Sequence, residues 1–262
     1  MSGFAVPADP APFRSGLFSG SAVLVAPALD VRAGAVAGRL AGLGARVMAG
    51  VPAAAGGSGS DAGALGAGPA SGAGLPGAGA AAAQPGGAGG SIVVEVADPR
   101  QPGQADDLLA RAWARFGTLD TLVCSGLGEP RPERAAAAIA VADWKDAIDG
   151  ELNAVWFLMH AAARQWRDRG QAGSIVCLVN PYREAVAGAA PQRAAGAAVA
   201  HLAKTVAVEW APFRIRVNCV APAAAAVPRR VADAVAWLSA PSGKFVTGEV
   251  VSVGALAAGA TR

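Results

Sequence analysis

The chain has one tyrosine, two histidines, three cysteines and three lysines among 262 residues, and each scarcity closes off some chemistry. His160 and His201 fall on predicted helices with no second ligand type at metal spacing, so no metal centre is expected. Cys124, Cys177 and Cys219 each lie in or at the end of a predicted strand, and none forms a CxxC. An odd, dispersed set of this kind argues against a disulfide framework or a zinc site and for buried free thiols. With so little lysine, the net charge of +3 is carried by arginine. The arginines form no stripe and have few aromatic neighbours, which argues against nucleic-acid binding. No apolar run reaches the ~18–20 residues that cross a bilayer. The N-terminal stretch MSGFAVPADPAPFRSGLFSG carries prolines and Asp9 where a secretory leader needs a basic start and an unbroken apolar segment. A cytoplasmic protein with no membrane contact is expected, with a flexible arm over residues 1–16 and a tail over 256–262.

What is present is apolar and regularly punctuated. Hydrophobic residues make up 53% of the chain and mean hydropathy is +0.38, enough for a sizeable core even though alanine supplies much of it. Short apolar runs at 22–26, 45–50, 91–98, 121–125, 174–179, 215–220 and 249–253 read as strands. Helical patterns lie between them, at 34–43, 104–116, 142–168, 191–210 and 231–238. In the longest, Trp144, Ile148, Leu152, Val155, Met159, Ala163 and Trp166 recur at three- and four-residue steps. The run SIVCLV is almost uniformly apolar, as in a parallel strand covered on both faces. This alternation predicts a doubly wound parallel α/β sheet of about seven strands, with helices on both faces, in a single domain spanning 17–255. Residues 52–90, almost entirely Ala, Gly, Ser and Pro, can bury too little to offset the entropy of ordering. They occupy the place of a crossover helix and are expected to form a mobile insertion within the domain.

From Leu17 to Val253 the chain resembles the short-chain dehydrogenase/reductase family. GSIVCLV (173–179) is similar to that family's fifth strand, and AAVAHLAKTVAVEWAPFRIRVNCVAP to its sixth helix and strand. VADAVAWLSAPSGKFVTGEVVSVGA (231–255) is similar to its closing helix and strand, and ADWKDAIDGELNAVWFLMHAAA (142–163) to its long interface helix. The resemblance implies a Rossmann-like fold and a nicotinamide dinucleotide cradled by a TGxxxGxG turn. Such a turn works by bringing bare backbone amides up to an anion at a helix N-terminus. Here Ala26, Pro27, Val31 and Ala33 stand where the threonine and three glycines would be. Pro27 has no amide and Val31 is branched. Gly50 and Val51 replace the acid expected to hold the ribose, and the family's NNAG reads Cys124-Ser125-Gly126-Leu127. Glu95, toward the adenine end, is the one conservative stand-in, for an aspartate.

The family's proton relay uses Asn, Ser, Tyr and Lys. By the same resemblance these positions fall on Glu151, Asn180 (Val179 if the register shifts by one), Gln192 and Gly196. Neither Gln nor Gly trades a proton near neutral pH, and loss of a general acid–base costs typically ~10²–10⁴ in rate. Tyr182, beside Arg183, is a candidate substitute acid, and Glu151 is either a base or a filler of the old cleft. Asn180 and Gln192 are candidates to bond each other across it. After the sixth strand, PAAAAVPRR leads almost directly to the closing helix, without room for a long lid. The expectation drawn is a catalytically degenerate member that binds no cofactor. It would associate with a homologous subunit, as a hetero- or homo-oligomer, through 142–168, 191–210 and the C-terminal strand. The alternative is an NAD(P)-dependent oxidoreductase with an atypical cofactor turn, or a cofactor-free lyase or isomerase in the old cleft.

Overall fold

Among the described residues there are seven strands: β1 (Ala22–Ala26), β2 (Arg46–Val51), β3 (Ser91–Val96), β4 (Thr121–Ser125), β5 (Gly173–Leu178), β6 (Ile215–Pro222) and β7 (Val250–Val253). In the computed structural model, which describes residues 13–52, 90–126, 134–180, 187–223 and 225–254, they form one parallel sheet in the order β3-β2-β1-β4-β5-β6-β7. The insertion read at 52–90 lies outside the described residues except for its two ends, as do residues 1–12 and the tail. Among the described residues, no helix is long and apolar enough to cross a membrane.

The sheet is covered on both faces, which is why its strands are apolar on both. Helices α1 (Val31–Gly42) and α6 (Pro228–Ser239) close one face over Val23, Val25, Val47, Val123, Val176 and Val220. Helices α2 (Pro102–Phe116), α4 (Ala154–Arg169) and α5 (Ala190–Trp210) close the other over Leu24, Met48, Leu122, Ile175 and Val217. Side chains alternate between faces at period two, so each strand feeds both cores. Trp166 anchors the second core: its ring is fully buried, its indole Nε1 donates to Leu119 O at 2.7 Å, and Trp113 meets it edge-on at 6.0 Å. Gly173 lies directly beneath that ring, where a Cβ would have no space.

The single helix predicted over 142–168 is in fact interrupted. Helix α3 (Val141–Ile148) passes through a π-helical turn, Asp149–Asn153, into α4. Such a turn inserts one extra residue per turn and rotates the side chains around it. The half of the predicted apolar stripe beyond the turn faces the core, whereas Trp144, before it, is 40% exposed.

The C-terminal part is tied together by two polar side chains of β6. Arg216 donates to Leu238 O, Gly243 O, Val246 O and Ser174 Oγ, and burial lowers its pKa from the ordinary guanidinium value. Asn218, fully buried, donates to Val246 O and accepts from the Glu249 amide, which fixes the entry into β7.

Candidate active site

β1 and β4 are neighbours, and their outgoing connections run to helices on opposite faces. Sheets of this topology open a crevice at that point, outside the carboxyl ends of the strands. The turn from β1 to α1 forms its floor. Ala26 is buried, Ser125 Oγ donates to Pro27 O at 3.3 Å, and the Ala28 amide donates to Gly50 O at 2.7 Å. Asp30 caps α1: its Oδ1 accepts the Ala33 amide at 2.7 Å. Ala33 is buried, while Val31, beside it, is 76% exposed. Sequence reasoning passed over Asp30, although an aspartate just ahead of a helical run is a standard N-cap signal.

At the neighbouring strand ends, Gly50 faces Leu108 and Ala26 so closely that a Cβ would lie 2.7 Å from Leu108 Cδ2. A side chain there would require the end of the Leu108 side chain to shift. Glu95 pairs with Gly50 across β3 and β2, and its carboxylate lies 3.7 Å from Arg111 Nε on α2. Val96, next along, is 52% exposed at the crevice edge.

Two of the four relay positions meet. Glu151 lies in the π turn, 8% exposed, and its Oε2 accepts from Asn180 Nδ2 at 2.8 Å. Gly126, just past β4, packs against the same carboxylate with no space for a side chain. The π turn, the end of β4 and the end of β5 therefore converge on one buried acid. Its spacing in sequence gives no hint of this, because the contact joins residues 29 apart. Gln192 and Gly196 lie on the first two turns of α5; Gly196 is buried, and Gln192 Oε1 is buried with no hydrogen-bond partner among the described residues. The expected Asn180–Gln192 bond is replaced by Asn180–Glu151. Tyr182 and Arg183 lie outside the described residues. Among the described residues no lid follows β6: Ala226 N donates to Ala223 O, and Ala223 N to Val253 O.

Behind the site the three cysteines stand in register across β4, β5 and β6, as Cys124–Cys177 and Cys177–Cys219. Cys124 and Cys177 sulfurs lie 3.4 Å apart, and Met159 Sδ is 3.6 Å from Cys177. Hydrogen bonding to Cys124, together with burial, pushes the Cys177 thiol well up, against an opposing bond from Cys219. The Cys219 thiol is raised by its bond to Cys177 and by burial. These are inert core thiols, as expected, and no cluster that could hold a metal occurs among the described residues.

The two ends of the crevice differ as a dinucleotide site. The adenosine end has an acid, Glu95, beside an exposed apolar residue, Val96. The pyrophosphate end does not fit the usual cradle. Pro27 lacks an amide, the Ala28 amide serves Gly50, and the Ala33 amide serves the Asp30 carboxylate.

Comparison with known proteins supplies the family. Residues 76–228 match the profile described as enoyl-(acyl carrier protein) reductase. A Bacillus subtilis protein named as a probable 2,4-dienoyl-CoA reductase is 35% identical over 51% of this chain and 52% of its own length. A cis-4-hydroxycyclohexanecarboxylate dehydrogenase of Sinomonas cyclohexanicum is 32% identical over 56% of this chain and 68% of its own. The chain thus spans about half the length of the first of these relatives. A short-chain dehydrogenase structure from Mycobacterium smegmatis superimposes with a TM-score of 0.74 at 23% identity, covering 92% of this chain and 94% of that one.

These matches correct two expectations, the non-catalytic partner subunit and the absence of a cofactor. The relatives are named as dehydrogenases and reductases, and members of the matched family generally use NAD(P). Both errors came from weighing a few turn residues above a crevice that the strand ends build. The profile match over more than half the sequence, joined to the Sinomonas relative, is decisive: the chain belongs to the short-chain dehydrogenase/reductase family.

Proposed function

We propose that this chain is an NAD(P)-dependent oxidoreductase with an atypical cofactor turn, in which Glu151 handles the proton of a substrate hydroxyl or carbonyl. One observation carries the reading: a carboxylate is buried at the converging ends of β4 and β5 and oriented by Asn180. A carboxyl group held there can give or take a proton at a reacting oxygen, the work the family assigns to a tyrosine. Asn180 acts as a positioning residue, since its amide holds Oε2 at 2.8 Å. The hydroxylated cyclohexane ring in one relative's name makes cyclic secondary alcohols and their ketones the first panel to try.

The test is turnover by the purified chain with NADH and NADPH, followed at the nicotinamide absorbance. Glu151→Gln is expected to lower kcat by ~10²–10⁴ and to remove the carboxylate limb of the pH–rate profile. Wild-type turnover that survives Glu151→Gln would reject the role of Glu151. No turnover across the panel would reject the oxidoreductase reading.

We also propose that the chain assembles with a homologous subunit through α4 and α5. Support comes from a half-buried aromatic stack on these two helices, Trp156 against His160 at 5.3 Å and against Trp210 at 6.4 Å. Large rings left partly uncovered are typical anchors of subunit contacts.

A further inference from the structure

We infer that Asp30 is a built-in competitor for the cofactor's pyrophosphate, so that dinucleotide binding requires its carboxylate to yield the head of α1. The inference rests on the dinucleotide reading above. A helix N-terminus attracts anions because its first amides have no partner within the helix and because the macrodipole is positive there. In this chain that position already has an anion: Asp30 Oδ1 holds the Ala33 amide at 2.7 Å. In the turn ahead of it, Pro27 has no amide and Ala28 donates to Gly50 O at 2.7 Å. A pyrophosphate entering the crevice therefore meets a negative charge at the head of α1. Two anions a few ångströms apart repel, and both compete for the same donor. The carboxylate is exposed, so solvent screens the repulsion without abolishing it.

The competitor can be disarmed without disturbing the cap. Asparagine and serine cap helices about as well as aspartate, so Asp30→Asn and Asp30→Ser keep the hydrogen bond to Ala33 and lose the charge. Calorimetric titration of the full-length protein and both variants with NADPH, and with adenosine as a probe lacking phosphate, separates the possibilities. The expected result is that both variants bind NADPH roughly tenfold tighter than wild type, as removal of one nearby screened charge allows, with adenosine binding unchanged. Tightening should shrink as salt rises, because the effect is electrostatic. Equal NADPH affinity in wild type and variants would overturn the role of Asp30 while leaving the dinucleotide reading intact. Equal gains for NADPH and adenosine would also overturn it, since the effect would then not be on phosphate. Failure of all three proteins to bind NADPH at millimolar concentration would overturn both.

Discussion

At the scale of single residues, the site depends on how little space surrounds Glu151. Gly126 packs on the carboxylate so tightly that a methyl group would displace it. Gly126→Ala is therefore expected to cut activity at least tenfold, with an overpacking penalty of about 1–3 kcal/mol measurable by denaturant titration. Full activity in that variant would mean that the Glu151 carboxylate is not the reacting group. A second residue-scale effect concerns acid. Hydrogen bonds from the Arg100 side chain to both carboxylate oxygens hold the Asp98 pKa below the ordinary 3.8, outweighing the opposing effect of burial. A depressed folded value contributes stability above the unfolded pKa, and that contribution is lost as pH falls through the folded one. Arg100→Ala should thus lower Tm at neutral pH, with the gap to wild type closing only below about pH 4. Some of this was readable in the sequence. Asp30 stands where a helix cap belongs. Glu151 could be named as a candidate, but its partner was unpredictable, because the bond to Asn180 depends on two strand ends and a helical turn meeting in space.

At the scale of elements, all seven strands were legible, because parallel strands buried on both faces leave long apolar runs that end at turn residues. The break in the long helix was not. Its apolar stripe continues through Leu152 and Val155 at helical spacing, so periodicity alone reports a single element. What rotates the chain there is the π turn, and the Asp149-Gly150 pair that opens it is a local sign of a break that the apolar spacing overrides. The joint between α4 and β5 gives a direct test of element packing. Gly173 starts β5 beneath the Trp166 ring, and a Cβ there would penetrate the indole. Gly173→Ala is expected to destabilise the fold by about 1–3 kcal/mol, while Trp166→Phe should cost a similar amount by stranding the Leu119 carbonyl. If either variant melts with the wild type, the anchoring role given to Trp166 is wrong.

At the scale of the whole molecule, the parallel sheet keeps its three thiols away from solvent. Cys124, Cys177 and Cys219 are each buried across the central strands, so a thiol reagent should label none of them in the native protein and all three in denaturant. Rapid labelling under native conditions would show that the sheet opens on the assay timescale. Assembly is checked by light scattering: the proposed contact predicts an oligomer that Trp156→Ala together with Trp210→Ala shifts toward monomer. A monomeric wild type would remove that proposal while leaving the catalytic reading untouched. The Arg216 guanidinium carries a different consequence. It joins β5, the end of α6 and the loop leading to β7 through four acceptors, so none of these can detach alone without stripping a partly buried charge of its partners. The C-terminal quarter of the chain should therefore open as one cooperative block, its amides exchanging hydrogen together rather than fraying inward from the edge strand.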